Sequence, residues 1–202
     1  MSRNILILDS SVLGDNSTTR KLTRNFVETW QAHNPADVIV QRDLARNPVP
    51  HLDAVEIGAR FAAEEERSEE QKASLALTFE LIAELKTADV VVVAAPMYNF
   101  SVPTTLKAWI DRVAFAGETF RYTDNGPVGL LDKDKKVYIL GAHGSDYSSD
   151  AMTPLNFADP YLKTVFGFMG VQSVEFVTAE GVALGEAGVQ KARERLKDTI
   201  AA

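Results

Sequence analysis

The sequence predicts a three-layer α/β sandwich built on a five-stranded parallel sheet. Short apolar runs rich in β-branched residues alternate along the chain with segments in which apolar residues recur every three to four positions. Runs such as "VVVVAA" have no polar face, which is typical of strands covered by helices on both sides. The 202 residues suffice for one such domain with a complete core, so we expect residues 1–202 to form a single domain.

Five segments are predicted as strands because they are short, apolar and rich in β-branched residues. They are Ile5 to Leu8, Val38 to Val40, Val90 to Val93, Val137 to Leu140 and Val174 to Val177.

Helices are predicted between these strands. Apolar residues from Leu22 to Trp30 and from Leu77 to Leu85 have helical spacing, and Ser68 and Gln71 have the spacing of a capping box before the second of these helices. Pro103 is predicted in the first turn of a further helix, where its missing N–H costs nothing. The last helix is predicted within "EAGVQKARERLKDTI".

Two connections are longer than a crossover requires. They run from Leu44 to Lys72 and from Ala116 to Lys136. Long connections in compact domains are often lids or interfaces, so we expect one of these roles for each. The acidic run from Glu64 to Glu70 within the first is interpreted as the solvated start of a helix.

Composition excludes several classes of function. Lys and Arg number 21 against 28 Asp and Glu, and no basic cluster stands out, so we expect no nucleic-acid or membrane partner. The absence of cysteine excludes disulfides, thiolate metal sites and cysteine nucleophiles, and no metal site is predicted. No apolar run reaches the roughly 18 residues of a membrane span. We therefore expect a cytoplasmic protein.

For the sheet order 2-1-3-4-5, the loops after strands one, three and four meet at one edge, where ligands of such sheets bind. The first loop, "DSSVLGDNSTT", supplies Ser10 and, at a predicted helix start, Ser17, Thr18 and Thr19. Hydroxyls, free N–H groups and the helix dipole can hold a phosphomonoester without lysine. Ordinary helix capping is the alternative interpretation. Arg20 is expected to be solvated.

The second loop, "APMYNFSVP", places Met97, Tyr98, Asn99 and Phe100 directly after Pro96. Aromatic and thioether groups suit the faces of a planar ring, and an amide suits its polar edge. The alternative is a buried turn in which Tyr98 and Phe100 belong to the core.

The third loop, "GAHGSDY", contains Gly141 and Gly144, which allow a ligand to approach the backbone closely. Ala142 and His143 lie between them, and His143 is the one histidine of three in a candidate site. Both a catalytic and a purely structural role are open for this side chain.

At these loops the sequence resembles the FMN-dependent NADH azoreductases, bacterial relatives of the flavodoxin-like NAD(P)H:quinone oxidoreductases. The matching stretches are "SSVLGDNSTT", "LIAELK", "AAPMYNF", "TFRYTDNGP" with "GL" two residues on, "PYLKTVFGFMG" and "FVTAEG". The resemblance implies a flavodoxin-like homodimer with one FMN per subunit near the subunit interface. It also implies ping-pong transfer of two electrons from NADH or NADPH to quinones and aromatic azo compounds.

The resemblance also implies roles for individual residues. Ser10 and the stretch from Ser17 to Thr19 would hold the FMN phosphate, and Pro96 to Phe100 would contact the isoalloxazine. Backbone contacts from Gly141 to Gly144 would persist, although many members have Ser-Arg-Gly-Gly there and the role of that arginine is lost.

The same resemblance assigns the substrate pocket to aromatic residues. Tyr122 and Phe168 align with pocket aromatics, and Phe61, with Arg60 beside it, falls where relatives often have an arginine. His143 and Tyr122 are the candidate proton donors.

Three alternatives stay open from the residues alone. A flavodoxin-type electron carrier would serve other redox proteins, although the long aromatic connections argue against it. A receiver-type signalling domain would need an acceptor aspartate where the third strand ends in Ala94, Ala95 and Pro96. The third alternative is an α/β scaffold without flavin, because fold alone does not define function.

Overall fold

The structure, a computed structural model, describes residues 2–201. The strands are β1 (Asn4–Asp9), β2 (Val38–Asp43), β3 (Val90–Pro96), β4 (Phe120–Thr123), β5 (Gly126–Gly129), β6 (Lys136–Ala142) and β7 (Ser173–Ala179). The helices are α1 (Thr18–His33), α2 (Ala54–Phe61), α3 (Glu69–Thr87), α4 (Thr104–Val113), α5 (Ala158–Phe168) and α6 (Ala187–Ala201). Within these described residues, no helix is both long enough and apolar enough to cross a membrane.

Five parallel strands form the central sheet in the order β2-β1-β3-β6-β7. The predicted number of strands and their parallel direction are confirmed. The strand numbers differ from the predicted 2-1-3-4-5 because β4 and β5 form a separate antiparallel hairpin before the fourth strand of the sheet. That hairpin lies within the second long connection, from Ala116 to Lys136, for which no strands were predicted.

Apolar side chains cover both faces of the sheet, as the continuous strands predict. One core contains α3, α4 and α5, with residues such as Leu81, Trp109 and Phe166. The other contains α1 and α6, with Phe26 and Leu196 among its residues. All seven residues of β3 are buried because this strand lies at the centre of the sheet with helices on both sides.

The predicted helix signals are partly confirmed. Ser68 and Gln71 form the capping box at the start of α3, with Gln71 N donating to Ser68 Oγ at 3.2 Å and Ser68 N donating to Gln71 Oε1 at 3.0 Å. Pro103 is the residue before α4 rather than a member of its first turn. Two helices, α2 and α5, were not predicted, and α2 lies within the first long connection.

A buried ion pair fixes that first connection to the rest of the domain. The Arg112 guanidinium on α4 lies 3.1 Å from the Glu56 carboxylate on α2, and both side chains are almost completely buried. Burial alone would raise the pKa of Glu56, but hydrogen bonds from Ser74 and Thr78 and the charge of Arg112 outweigh it and lower this pKa. The pair therefore joins α2, α3 and α4.

We expect Arg112→Met to lower the free energy of unfolding by about 3 to 5 kcal/mol, because it leaves Glu56 buried without its cation. The difference from wild type should shrink as the pH falls below about 4, where wild type loses the contribution of an ionised Glu56 whose pKa is lowered. Urea denaturation at several pH values measures both effects.

Lys107→Met on the same helix is the matched control. Lys107 pairs with Asp111 at 2.5 Å on the surface, and its loss should cost less than about 1 kcal/mol. Equal effects of the two substitutions would show that burial of the Arg112 pair is unimportant for stability.

Candidate functional site

The three predicted loops meet at the carboxyl edge of the sheet. Asp9 at the end of β1 pairs with Ala94 of β3, and Pro96 pairs with Ala142 of β6. Bonds between the loops continue this register, since Met97 N donates to Ala142 O at 3.0 Å. The structure thus brings together residues that are far apart in the chain.

The first loop presents the N-terminus of α1. Ser17 is the N-cap, and its Oγ accepts a hydrogen bond from Arg20 N at 3.2 Å and lies 3.0 Å from Thr19 Oγ1. Thr18 and Thr19 open the helix, where N–H groups have no acceptor within the helix itself. The Ser10 hydroxyl takes no part in this cap. It donates a hydrogen bond to Ala94 O at 2.7 Å and so joins the loop to β3.

Arg20 contradicts the expectation that it is solvated. The residue is only 8% exposed, its guanidinium lies 2.7 Å from the Asp43 carboxylate, and it donates to Ser11 O at 3.2 Å. The hydrogen bond to Asp43 raises the pKa of Arg20. The arginine therefore stabilises the first loop from its buried side, and its positive charge is already paired with Asp43.

The second loop is a tight turn closed by reciprocal hydrogen bonds between Tyr98 and Ser101, at 2.9 and 3.1 Å. Asn99 and Phe100 at its tip have φ values of 48° and 70°. Positive φ is strained for phenylalanine, and such strain is common at functional sites. Because Met97 N and Tyr98 N bond to protein carbonyls, Asn99 N and Phe100 N are the candidate donors to a ligand.

A side-chain contact joins the first and second loops. Tyr98 Oη lies 3.3 Å from Ser11 Oγ, which in turn accepts a hydrogen bond from Leu13 N at 3.3 Å. Phe100 stays 46% exposed at the tip. The alternative of a fully buried aromatic turn therefore does not hold for Phe100, while Tyr98 is half-buried.

The third loop begins with two glycines that serve different purposes. A Cβ atom on Gly141 would lie 2.6 Å from Thr178 Oγ1, so this glycine makes room for the neighbouring strand β7. A Cβ atom on Gly144 would meet nothing within 4 Å. Of the two glycines, only Gly144 therefore leaves open space beside the backbone.

His143 is fully buried between the third loop and two carboxylates. Its Nδ1 lies 3.1 Å from Glu180 Oε1, and its Nε2 lies 3.7 Å from Asp159 Oδ1. Neither carboxylate was predicted from the sequence. One signal was available for Glu180, which directly follows β7 at the same edge of the sheet. A side chain with no exposed surface cannot touch a ligand in this conformation.

Two of the predicted substrate-pocket residues, Tyr122 and Phe168, lie near the other edge of the sheet. Phe168 ends α5 shortly before β7 begins, and its ring centroid lies 4.4 Å from that of Phe120, which contacts Tyr122 at 5.4 Å. Phe61 follows Arg60, whose guanidinium stacks on Phe115 just after α4. Phe61, Tyr122 and Phe168 together are called the aromatic surface. Because Phe168 precedes a strand of seven residues and the three loops follow the strands, Phe168 lies about 20 Å from the loops.

Parallel strand order and three loops at the carboxyl edge define a flavodoxin-like protein with a candidate mononucleotide site. The chain belongs to the family described as Flavodoxin-like fold, whose model matches residues 3–202. It is 48% identical over 200 residues to FMN-dependent NADH:quinone oxidoreductase 2 of Pseudomonas fluorescens, covering 97% of this chain and 98% of the relative. It is 47% identical to FMN-dependent NADH:quinone oxidoreductase of Herminiimonas arsenicoxydans, covering 97% and 96%.

Two solved structures support the assignment of the chain to this family. A crystal structure of azoreductase from Bacillus anthracis superposes with a TM-score of 0.91 at 27% identity, covering 99% of both chains. An FMN-dependent NADH-azoreductase from the same species, solved in complex with FMN, gives a TM-score of 0.91 at 26% identity, covering 100% of this chain and 98% of that one.

The two glycines of the third loop allow a direct test of the local packing. We expect Gly141→Ala to lower the free energy of unfolding by about 1 to 3 kcal/mol, because the new methyl group overlaps Thr178. Gly144→Ala should change it by less than about 0.5 kcal/mol. Thermal or urea denaturation compares the two variants.

The double variant Gly141→Ala/Thr178→Ala removes the atoms that the methyl group would meet, and we expect it to regain part of the lost stability. If the second substitution instead adds to the loss, the overlap with Thr178 is not its cause.

Proposed function

We propose that this protein is an FMN-dependent oxidoreductase that passes two electrons from NADH or NADPH to quinones and aromatic azo compounds by a ping-pong mechanism. Quinones become hydroquinones, and azo bonds are cleaved to amines. The observation that carries the proposal is the hydroxyl-rich N-terminus of α1 beside the strained turn at Asn99 and Phe100. The names of the relatives and the FMN complex of a structural neighbour support it. Residues 1–202 would act as a single FMN-binding domain in the cytoplasm.

The donors at the start of α1 fit a phosphomonoester. Ser17, Thr18 and Thr19 would provide N–H groups at the positive end of the helix dipole, and half-buried Thr18 would add its hydroxyl, because those of Ser17 and Thr19 are buried and paired with each other. Arg20 is bound to Asp43, and the Ser10 hydroxyl is buried and already donates to Ala94 O, so the helix terminus itself would hold the phosphate. This arrangement suits a cofactor that stays bound, because no phosphoryl group has to be transferred.

The second and third loops would bind the flavin ring. Pro96 to Phe100 would lie along it, with the N–H groups at the turn tip and the Asn99 amide meeting its polar edge. Gly141 to Gly144 would border it through the backbone. When bound, FMN accepts hydride from the reduced nicotinamide and supplies the electron-transfer chemistry. The protein orients the ring and excludes water. His143 is buried, so we assign it no direct proton transfer.

We infer that the active unit is a homodimer in which the aromatic surface of one subunit covers the loops of the other. Phe61 and Tyr122 are 87% and 74% exposed, which is a large apolar surface to leave in water. With Phe168, these residues would line the substrate pocket of the partner's flavin. Tyr122 would then be placed to donate a proton to the acceptor.

The first test is a visible spectrum of the protein reconstituted with FMN and freed of excess flavin, before and after anaerobic NADH. We expect retained flavin absorbance that bleaches with NADH or NADPH, and steady consumption of the nicotinamide with a small quinone and no protein partner. Loss of all flavin would contradict the proposal. Retained flavin that neither nicotinamide reduces would favour the electron-carrier alternative.

The variant Ser17→Asp tests whether the start of α1 binds the FMN phosphate. Aspartate is as good an N-cap as serine, so α1 should remain intact, while its carboxylate repels the phosphate. We expect FMN affinity to fall by more than about 100-fold, since like charges in contact cost several kcal/mol. Ser68→Asp at the exposed N-cap of α3 is the control and should bind FMN like wild type.

Mixing subunits tests the dimer. Ser17→Asp protein lacks a working phosphate site, and Tyr122→Ala protein lacks the aromatic cover, so each alone should be nearly inactive. If Tyr122 acts across the interface, mixed dimers pair the intact loops of one chain with the intact Tyr122 of the other. Quinone reductase activity should then return to up to half of the wild-type value per mixed dimer. No recovery after subunit exchange would place Tyr122 in its own subunit's site.

A further inference from the structure

A buried histidine lies between two carboxylates directly beneath the loops that we assign to the flavin ring. His143 has no exposed surface, and its Nδ1 lies 3.1 and 3.2 Å from the two oxygens of Glu180. Its Nε2 lies 3.7 Å from Asp159 Oδ1 and has no hydrogen-bond partner among residues 2–201. No group of three acidic or histidine side chains in this range has the geometry of a metal site.

The geometry determines where the protons must be. Glu180 as a carboxylate can only accept, so Nδ1 of His143 carries a hydrogen. In a neutral ring, Nε2 would then direct a lone pair at the Asp159 carboxylate, which also offers only lone pairs. One further proton, on either Nε2 or Oδ1, makes this contact attractive. Leaving a buried polar atom unpaired is unfavourable, which favours the state that holds this proton.

The same cluster supports both ring-binding loops. Glu180 Oε2 accepts a hydrogen bond from Tyr147 N at 3.0 Å. The Tyr147 ring packs edge-on against His143, with centroids 5.5 Å apart, and against Phe100 at 6.4 Å. The backbone of His143 also donates to Ala179 O at 2.9 Å. A change at His143 therefore reaches the strained turn through one intervening side chain.

We propose that His143 is a positioning residue, and that one proton shared between its Nε2 and Asp159 Oδ1 holds the loops at residues 97–100 and 141–147 in the conformation that binds the FMN ring. The inference rests on the proposed function. Loss of the proton at high pH places a lone pair against a carboxylate, and the contact becomes repulsive.

The charged groups around His143 and Asp159 support a contact that weakens as the pH rises. Asp159 also accepts from Asn156 Nδ2 at 2.9 Å, and burial raises its pKa despite the nearby His143. A carboxyl with a raised pKa takes up its proton on folding, so its contribution is complete below about pH 4 and is lost as the pH rises through the folded value. The other charged groups lining the adjoining cavity are Asp146 on the loop and Lys191 and Arg195 on α6.

The test is the pH dependence of FMN affinity, measured by flavin fluorescence on titration with apoprotein from about pH 5 to about pH 9, a range above the ordinary pKa of aspartic acid in which a carboxyl with a raised pKa, such as Asp159, loses its proton. For wild type we expect the Kd to rise by about fivefold or more with pH, the usual scale of coupling between two ligands, here proton and FMN. Asp159→Asn should be nearly independent of pH, because its amide N–H replaces the shared proton.

Two further variants complete the experiment. His143→Gln keeps a donor for Glu180 but cannot titrate, so we expect it to be independent of pH as well, and it serves if Asp159→Asn does not fold. Asp198→Asn, exposed on α6, is the charge control and should follow the wild-type profile.

The outcomes separate this inference from the proposed function. If wild type binds FMN with a Kd that does not change with pH, the proposed role of the shared proton is wrong. The same holds if Asp159→Asn and His143→Gln show the wild-type pH dependence. Either result would leave the proposed function unaffected. Absence of FMN binding at every pH would overturn the proposed function and this inference with it.

Discussion

The common direction of the five sheet strands is the constraint on which the candidate site depends. Parallel strands place all their carboxyl ends at one edge, and the register of β1, β3 and β6 brings Asp9, Pro96 and Ala142 to that edge together. Hydrogen bonds such as Ser10 N to Ala94 O continue the sheet into the loops. Three segments far apart in the chain therefore form one surface before any ligand binds.

Buried charges then fix the loops that the sheet has brought together. Arg20 bonds to Asp43 and to the carbonyl of Ser11, so the first loop is tied to the end of β2. Glu180 serves the third loop in the same way by bonding His143 and the backbone of Tyr147. A charge taken from water needs partners, and each of these side chains finds them in a loop of the site. The cost of burial thereby enforces the conformation of the site.

Much of the fold follows from local sequence, because strands buried on both faces must be apolar throughout. The runs at Ile5 and Val90 therefore predict β1 and β3, and the capping box predicts α3. The strands of the hairpin β4–β5 are not apolar runs, and their local signal is the turn at Asp124, Asn125 and Gly126. Tertiary contacts such as the close approach of Gly129 to Gly170 hold the hairpin in place. The helix α5 is capped from an unusual position, since Phe157 directly before it makes no cap and Asn156, one residue earlier, accepts hydrogen bonds from Ala158 N and Asp159 N at 3.1 Å.

The candidate site was predictable to a similar extent. Runs of hydroxyl residues before α1 and of large side chains after β3 are unusual in loops that only connect two elements. Both runs lie at the carboxyl edge of the sheet, where the predicted strand order places a ligand. The buried states of Arg20 and His143 were not predictable, because each depends on carboxylates that follow other strands or start another helix. The need for glycine at position 141 was not predictable either, because it follows from the close approach of Thr178 on the neighbouring strand.

The separation of the aromatic surface from the loops gives the proposed enzyme two independent sets of residues. In the proposed enzyme, side chains near α1 and β3 would bind the mononucleotide, while Tyr122 and Phe168 lie near the opposite edge of the sheet within the same chain. Assembly into a dimer would unite the two sets without a single chain having to build both at one edge. Under that arrangement, substitutions on the aromatic surface change which acceptor fits and leave the phosphate site intact.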